Sequence, residues 1–185
     1  RNRITRLPNT FGRLTTHMKL KEDSNPYVNR NMFIYNKTCG VSSVLVSYYL
    51  PQTGNYARNI DILTPMRWEE VKQWENTTIN KRGEEYNSFK ELKAKECIEL
   101  AATKIPALTD NIEKIYTSTP LTYRDYTGTW QGSAYGIQKD YNDIMMTLLT
   151  PQTPIPNLLL TGQNLNLHGI LGVSMTSFFT CAKIV

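Results

Sequence analysis

The sequence lacks the short signatures that mark most enzymes. It has no GxGxxG and no GxxxxGK[ST], and HExxH and GxSxG are also missing. Within these residues there is therefore no dinucleotide fingerprint, no phosphate loop, no zincin helix and no nucleophile elbow. Histidine occurs only at His17 and His168, and cysteine only at Cys39, Cys97 and Cys181. An odd, widely spaced cysteine set without CxxC argues against both a disulfide framework and a zinc site. Cys97 and Cys181 fall in expected helices and read as small buried apolar residues. No signal-type apolar segment and no 18-residue apolar run occurs. A soluble protein of a reducing compartment, cytoplasmic with an option for membrane-peripheral contact, fits these absences best.

The charge is uneven. Of 21 Lys and Arg, eight lie in residues 1–37 against only Glu22 and Asp23, and the remainder is nearly neutral. Such a stretch is a candidate for contact with an anionic membrane surface, or simply a solvated edge. It has no dense basic cluster with interleaved aromatics, which argues against nucleic acid as a partner. Eleven tyrosines and five phenylalanines spread along the chain favour a packed core over disorder.

Residues 11–20, 31–37, 41–50 and 58–64 read as strands, with Asn25-Pro26, Gly40 and Gly54-Asn55 as turns. Short polar connections predict an antiparallel meander. A helix is expected from Met66 to Trp74. A longer one, over 83–104, should place Tyr86, Phe89, Leu92, Cys97, Leu100, Ala101 and Ile105 near one face. Its other face carries Glu91, Lys95 and Glu99, and Pro106 stops it. Strand character returns over 111–117, where Arg124-Asp125 beyond it reads as a local pair.

The last third holds six of the ten glycines: Gly128, Gly132, Gly136, Gly162, Gly169 and Gly172. Within it, Leu158-Leu-Leu160 reads as a short buried strand and Thr161-Gly162 as its end. A polar loop follows, and a terminal helix then opens near Gly169 and carries Val173, Phe178, Cys181 and Ala182. Strand, glycine loop and helix start together make an anion-friendly place, because the first helical N–H groups have no internal partners. The same pattern also suits a plain, tightly packed strand–turn–helix. Pattern alone leaves both readings open.

The run Pro-Asn-Leu-Leu-Leu-Thr-Gly-Gln…His-Gly-Ile-Leu-Gly-Val over 156–173 resembles the C-terminal FAD-binding segment of the phytoene desaturase and retinol saturase group. Ser118-Thr-Pro-Leu-Thr-Tyr-Arg-Asp-Tyr-Thr-Gly128 and Gly132-Ser-Ala-Tyr-Gly-Ile137 resemble the segment that precedes it in the same group. Two motifs in the right order are far more specific than either alone. The resemblance covers about residues 116–185, and residues 11–115 are compatible with that family's substrate domain.

The resemblance implies an α+β fold. Residues 1–137 would be an antiparallel sheet portion of a substrate domain with intermediate helices. Residues 138–185 would be the C-terminal strand-loop-helix that completes a Rossmann-like FAD-binding domain. It further implies an FAD-dependent oxidoreductase that moves a hydride between an apolar polyene or isoprenoid-like substrate and flavin. The chain would be its C-terminal fragment, inactive alone because the other half of the cofactor cradle lies outside it. Carried over, Gly162 and Gln163 would approach the ribityl-pyrophosphate part, Asn164 would also bind the cofactor, and Gly169, Ile170 and Leu171 would present amides near the flavin ring. Gln163 stands where related flavoproteins carry an acid, and its amide can still meet hydroxyls or phosphate oxygens.

His168 would lie beside the flavin as an acid or base, or else cap and pack the helix. Tyr135 would line the substrate tunnel, or else be a loop aromatic. Without its natural cover the terminal helix would leave apolar surface exposed, favouring self-association. A stand-alone α+β binding or interaction domain without cofactor is the competing expectation.

Overall fold

Alternation along each strand builds the molecule. In the computed structural model, which describes residues 6–36 and 40–184, β1 (Gly12–Leu20), β2 (Met32–Tyr35), β3 (Ser43–Tyr48), β4 (Asn59–Met66) and β5 (Ile112–Ser118) form one sheet in the order β2-β3-β4-β1-β5. Every pairing is antiparallel. Only β2-β3-β4 is the expected meander. β1 lies beside β4 and β5, so the first four strands have Greek-key connectivity. Arg1, Arg3, Lys37 and Cys39 lie outside the described residues.

Because side chains alternate across a pleated strand, one sheet face collects Leu14, Met18, Leu20, Val44, Val46, Ile60, Ile62 and Met66, all buried. The helix α1 (Gly83–Ala102) covers that face, burying Tyr86, Ala94, Cys97, Ile98 and Ala101. Leu92 departs from expectation and is 56% exposed. At 3.6 residues per turn it sits about 240° round from Tyr86, well off the packed face. Burial pushes the Cys97 thiol up to about 12. Cys181 is exposed rather than buried, because α4 (Gly169–Cys181) turns Gly172, Thr176 and Thr180 inward instead. Alkylation followed by peptide mapping should therefore label Cys181 in the native protein and reach Cys97 only on unfolding.

The helix expected over 66–74 does not form. β4 runs through Pro65 to Met66, since β3 pairs with β4 only as far as Leu63 and nothing there needs the missing N–H. Two 3₁₀ turns follow, Trp68–Glu70 and Lys72–Trp74. A three-residue turn stacks i and i+3, and this is what aims Trp68, Val71 and Trp74 into the core together. Thr16 is fully buried in the same core, and its Oγ1 has no hydrogen-bond partner. Thr16→Val, of nearly equal shape, should raise stability by about 1 kcal/mol in denaturant titration.

After β5 the chain enters α2 (Pro120–Thr127), a helix that the sequence pattern did not predict. Thr119 caps it, its backbone N–H donating to Thr122 Oγ1 at 3.2 Å, and Pro120 takes the first turn, where its missing N–H costs nothing. The short α3 (Ile144–Thr147) and α4 complete the described chain. Among the described residues no helix is long and apolar enough to cross a membrane.

Candidate functional site

The loop after α2 is tied to the start of β1. Gly132 (φ +61°) lies so close to Pro120 that a Cβ would stand 1.9 Å from the Pro120 carbonyl oxygen. Thr10 N–H donates to the Gly136 carbonyl, Ala134 N–H to the Phe11 carbonyl, and Asn9 bridges to Ile137. This fixes Tyr135, whose ring meets Phe11 edge-on at 6.1 Å and His168 at 4.6 Å. Tyr135 and His168, 33 positions apart in the chain, thus stand side by side at the opening of α4.

Asn164 has a role that its sequence context did not reveal. Its Oδ1 accepts the Ile137 N–H at 2.9 Å, and a Cβ on Gly136 would fall 1.8 Å from that oxygen. Asn164 therefore staples the polar loop to the Tyr135 loop. Lys139, which sequence reasoning missed, does similar work. Its Nζ donates to the carbonyls of Thr147, Asn164 and Leu165 at 2.9, 2.8 and 3.2 Å, and desolvation lowers its pKa. Its only sequence signal was a lysine in an otherwise charge-poor segment.

Leu158–Leu160 is not a buried strand. Leu158 is exposed, and pairing is limited to a single bridge between Gln152 and Leu159. The segment instead supports α4, with the Leu160 carbonyl accepting from Thr180 Oγ1 at 2.9 Å. Gly172 packs against Leu167 so tightly that a Cβ would sit 2.4 Å from its carbonyl. The inward face of α4 is small and polar, while Ile170 (91% exposed), Leu171, Met175, Phe178 and Phe179 project outward.

His168 is the N-cap residue, and no side chain caps this helix. Its role here is packing against Tyr135. Gly162 (φ +106°) and Gly169 (φ +78°) need the left-handed backbone, and nothing lies within 4 Å of where a Cβ would stand on either. Gly162 and Gln163 are half-buried, whereas Gly169, Ile170 and Leu171 face outward. The open Gly169 at an uncapped helix start suits close approach by an anionic, hydrogen-bonding group, while Gly162 follows Leu160, which is held at the Thr180 end of α4.

A second polar group lies on the uncovered sheet face. His17 Nδ1 is 2.9 Å from Asp61 Oδ1, the Tyr49 hydroxyl donates to Asp61 Oδ2 at 2.8 Å, and Ser118 Oγ is 3.4 Å from His17 Nε2. The bond to Asp61 raises the Tyr49 pKa, keeping that phenol protonated. These residues come from four strand regions, so no local motif announced them.

No protein-family model matches the chain. Among curated proteins it is similar to the all-trans-retinol 13,14-reductases of Macaca fascicularis and Homo sapiens, each 31% identical over 127 residues, or 67% of this chain and 21% of that protein. The Danio rerio protein of that name is 28% identical over 129 residues. The chain is a homologue of the all-trans-retinol 13,14-reductases. It spans about a fifth of their length. The resemblance carried by the two glycine-rich motifs to the retinol saturase group therefore rests on homology over two thirds of the chain.

Proposed function

We propose that this chain forms the C-terminal part of an FAD-dependent oxidoreductase acting on an apolar polyene or isoprenoid-like substrate. In this reading residues 1–137 belong to the substrate domain, and residues 138–185 return to complete a Rossmann-like FAD-binding half. The observation that carries it is the uncapped glycine opening of α4, set against the Tyr135–His168 pair in a homologue of polyene reductases.

Gly162 and Gln163 would hold the ribityl-pyrophosphate part, and the amides of Gly169, Ile170 and Leu171 would face the ring. Flavin supplies or accepts the hydride when bound; the protein holds the apolar chain and excludes water. An aligned helix start favours the negative charge of the reduced cofactor. Asn164 positions the Tyr135 loop through its Oδ1. Tyr135 and Phe11 would present aromatic surface to the substrate. The outward apolar face of α4 would be covered by the rest of the FAD-binding half, with peripheral membrane contact or self-association as its fates when left uncovered.

The test is flavin content. The full-length gene product should carry stoichiometric FAD through gel filtration, whereas residues 1–185 alone should not. A full-length product that purifies folded and flavin-free, and does not take up added FAD, would overturn the reading.

A further inference from the structure

The open sheet face carries an apolar row beside a polar one. Register aligns Phe33, Leu45, Leu63 and Thr15 across four strands, and in the next row Ser47, Asp61, His17 and Tyr116. Phe33 is 65% exposed, and Leu45 and Leu63 are half-buried. Tyr123 of α2 closes one flank, its hydroxyl 2.8 Å from Thr15 Oγ1 and its ring beneath the Arg13 guanidinium.

Asp61 accepts from the Tyr49 hydroxyl and stands against His17 Nδ1. In the tautomer whose Nδ1–H donates to Asp61, Nε2 carries a lone pair that can accept a hydrogen bond. Among the described residues Nε2 faces Ser118 Oγ, at a long 3.4 Å. An acceptor and a hydroxyl, pre-aligned and under-used, thus border an apolar strip.

Serine, histidine and aspartate in this order also suggest a hydrolytic triad. The backbone argues against it. Pro120 has no N–H and the Thr119 amide is committed to Thr122 Oγ1, so neither residue after Ser118 offers an amide to an oxyanion.

We propose that His17 and Ser118, aligned by Asp61 and Tyr49, recognise the hydroxyl of an isoprenoid or polyene alcohol whose chain lies on Phe33, Leu45 and Leu63. Nε2 accepts the ligand O–H, and Ser118 Oγ donates to the ligand oxygen. This assignment deepens the reading of a polyene or isoprenoid substrate and rests on it.

The test compares geranylgeraniol with its methyl ether, which cannot donate, by quenching of tryptophan fluorescence in the flavin-loaded full-length protein. Wild type should bind the alcohol about tenfold more tightly, the worth of one well-made hydrogen bond. His17→Phe should abolish that preference while leaving ether affinity within about twofold and flavin content unchanged. Ser118→Ala, the milder change should His17→Phe not fold, should reduce the preference severalfold. Equal affinities in wild type, a preference that survives both substitutions, or binding of neither lipid by flavin-loaded protein each overturns the hydroxyl site. Loss of flavin from the wild-type protein would instead strike at the broader reading.

Discussion

Gly172→Leu should detach the terminal helix and abolish flavin retention in the full-length protein. The first turn of α4 rests on the Leu167 backbone, where a Cβ would stand 2.4 Å from both its carbonyl carbon and oxygen. Backbone cannot swing aside as a long side chain can. Overpacking of this kind costs on the order of 1–3 kcal/mol and often more. α4 has few other anchors, chiefly the Thr180 bond to Leu160 and the buried Thr176. Hydrogen exchange should register the loss as deprotection of residues 169–181, with the β-sheet amides unchanged. Gly169→Ala is the matching control. It meets no neighbour, so its cost of about 1 kcal/mol comes from the left-handed backbone alone and the helix stays docked. Equal deprotection in both variants would refute the packing argument.

Asp125→Asn should lower thermal stability more than any surface charge change, by about 3–5 kcal/mol. Asp125 joins Arg82, whose side chain is 7% exposed, and Arg124, whose Nε lies 2.8 Å away. Arg124 also donates to the Glu75 carbonyl and lies over the Trp68 ring, while Arg82 lies over Tyr86. One carboxylate therefore offsets two guanidiniums at the junction of the 3₁₀ turns, α1 and α2. Neutralising it strands both charges where water reaches them poorly. For a chain of this size the melting temperature should fall by roughly ten degrees, read by circular dichroism. Lys95→Ala, which removes an exposed ion pair with Glu99 at 3.9 Å, should change it little.

Strand and long-helix positions were legible because their signals are local and periodic. β1, β3, β4, β5 and α1 fall within a few residues of where alternation and the 3.6-residue repeat place them. The opening of α4 at Gly169 was legible from the glycine-rich motif instead. What misled was a pattern with two periods. Trp68, Val71 and Trp74 satisfy a helical face, but their spacing of three suits 3₁₀ turns equally well. α2 was missed because its identity rests on a cap, Thr119, and a first-turn proline rather than on an apolar stripe.

The candidate site divides similarly. The glycine loop and His168 announced themselves through motif, whereas the staple from Asn164 to Ile137 and the Lys139 bracket required the fold to bring distant segments together. The His17, Asp61, Tyr49 and Ser118 group was the least legible of all, since each member is an ordinary polar residue on a strand or at a strand end. Only register across β1, β3, β4 and β5 makes them neighbours.

The placement of β1 between β4 and β5 also bears on how fast the protein reaches its native state. Thr15 pairs with Leu63 on one side and with Ser118 on the other, more than a hundred positions later. The central strand must wait for both partners, and such distant closures pay chain entropy before contacts repay it. Refolding should therefore be slow for a chain of this length. While β1 waits, its apolar row of Leu14, Met18 and Leu20 is open to other chains, so yield on refolding should fall as concentration rises.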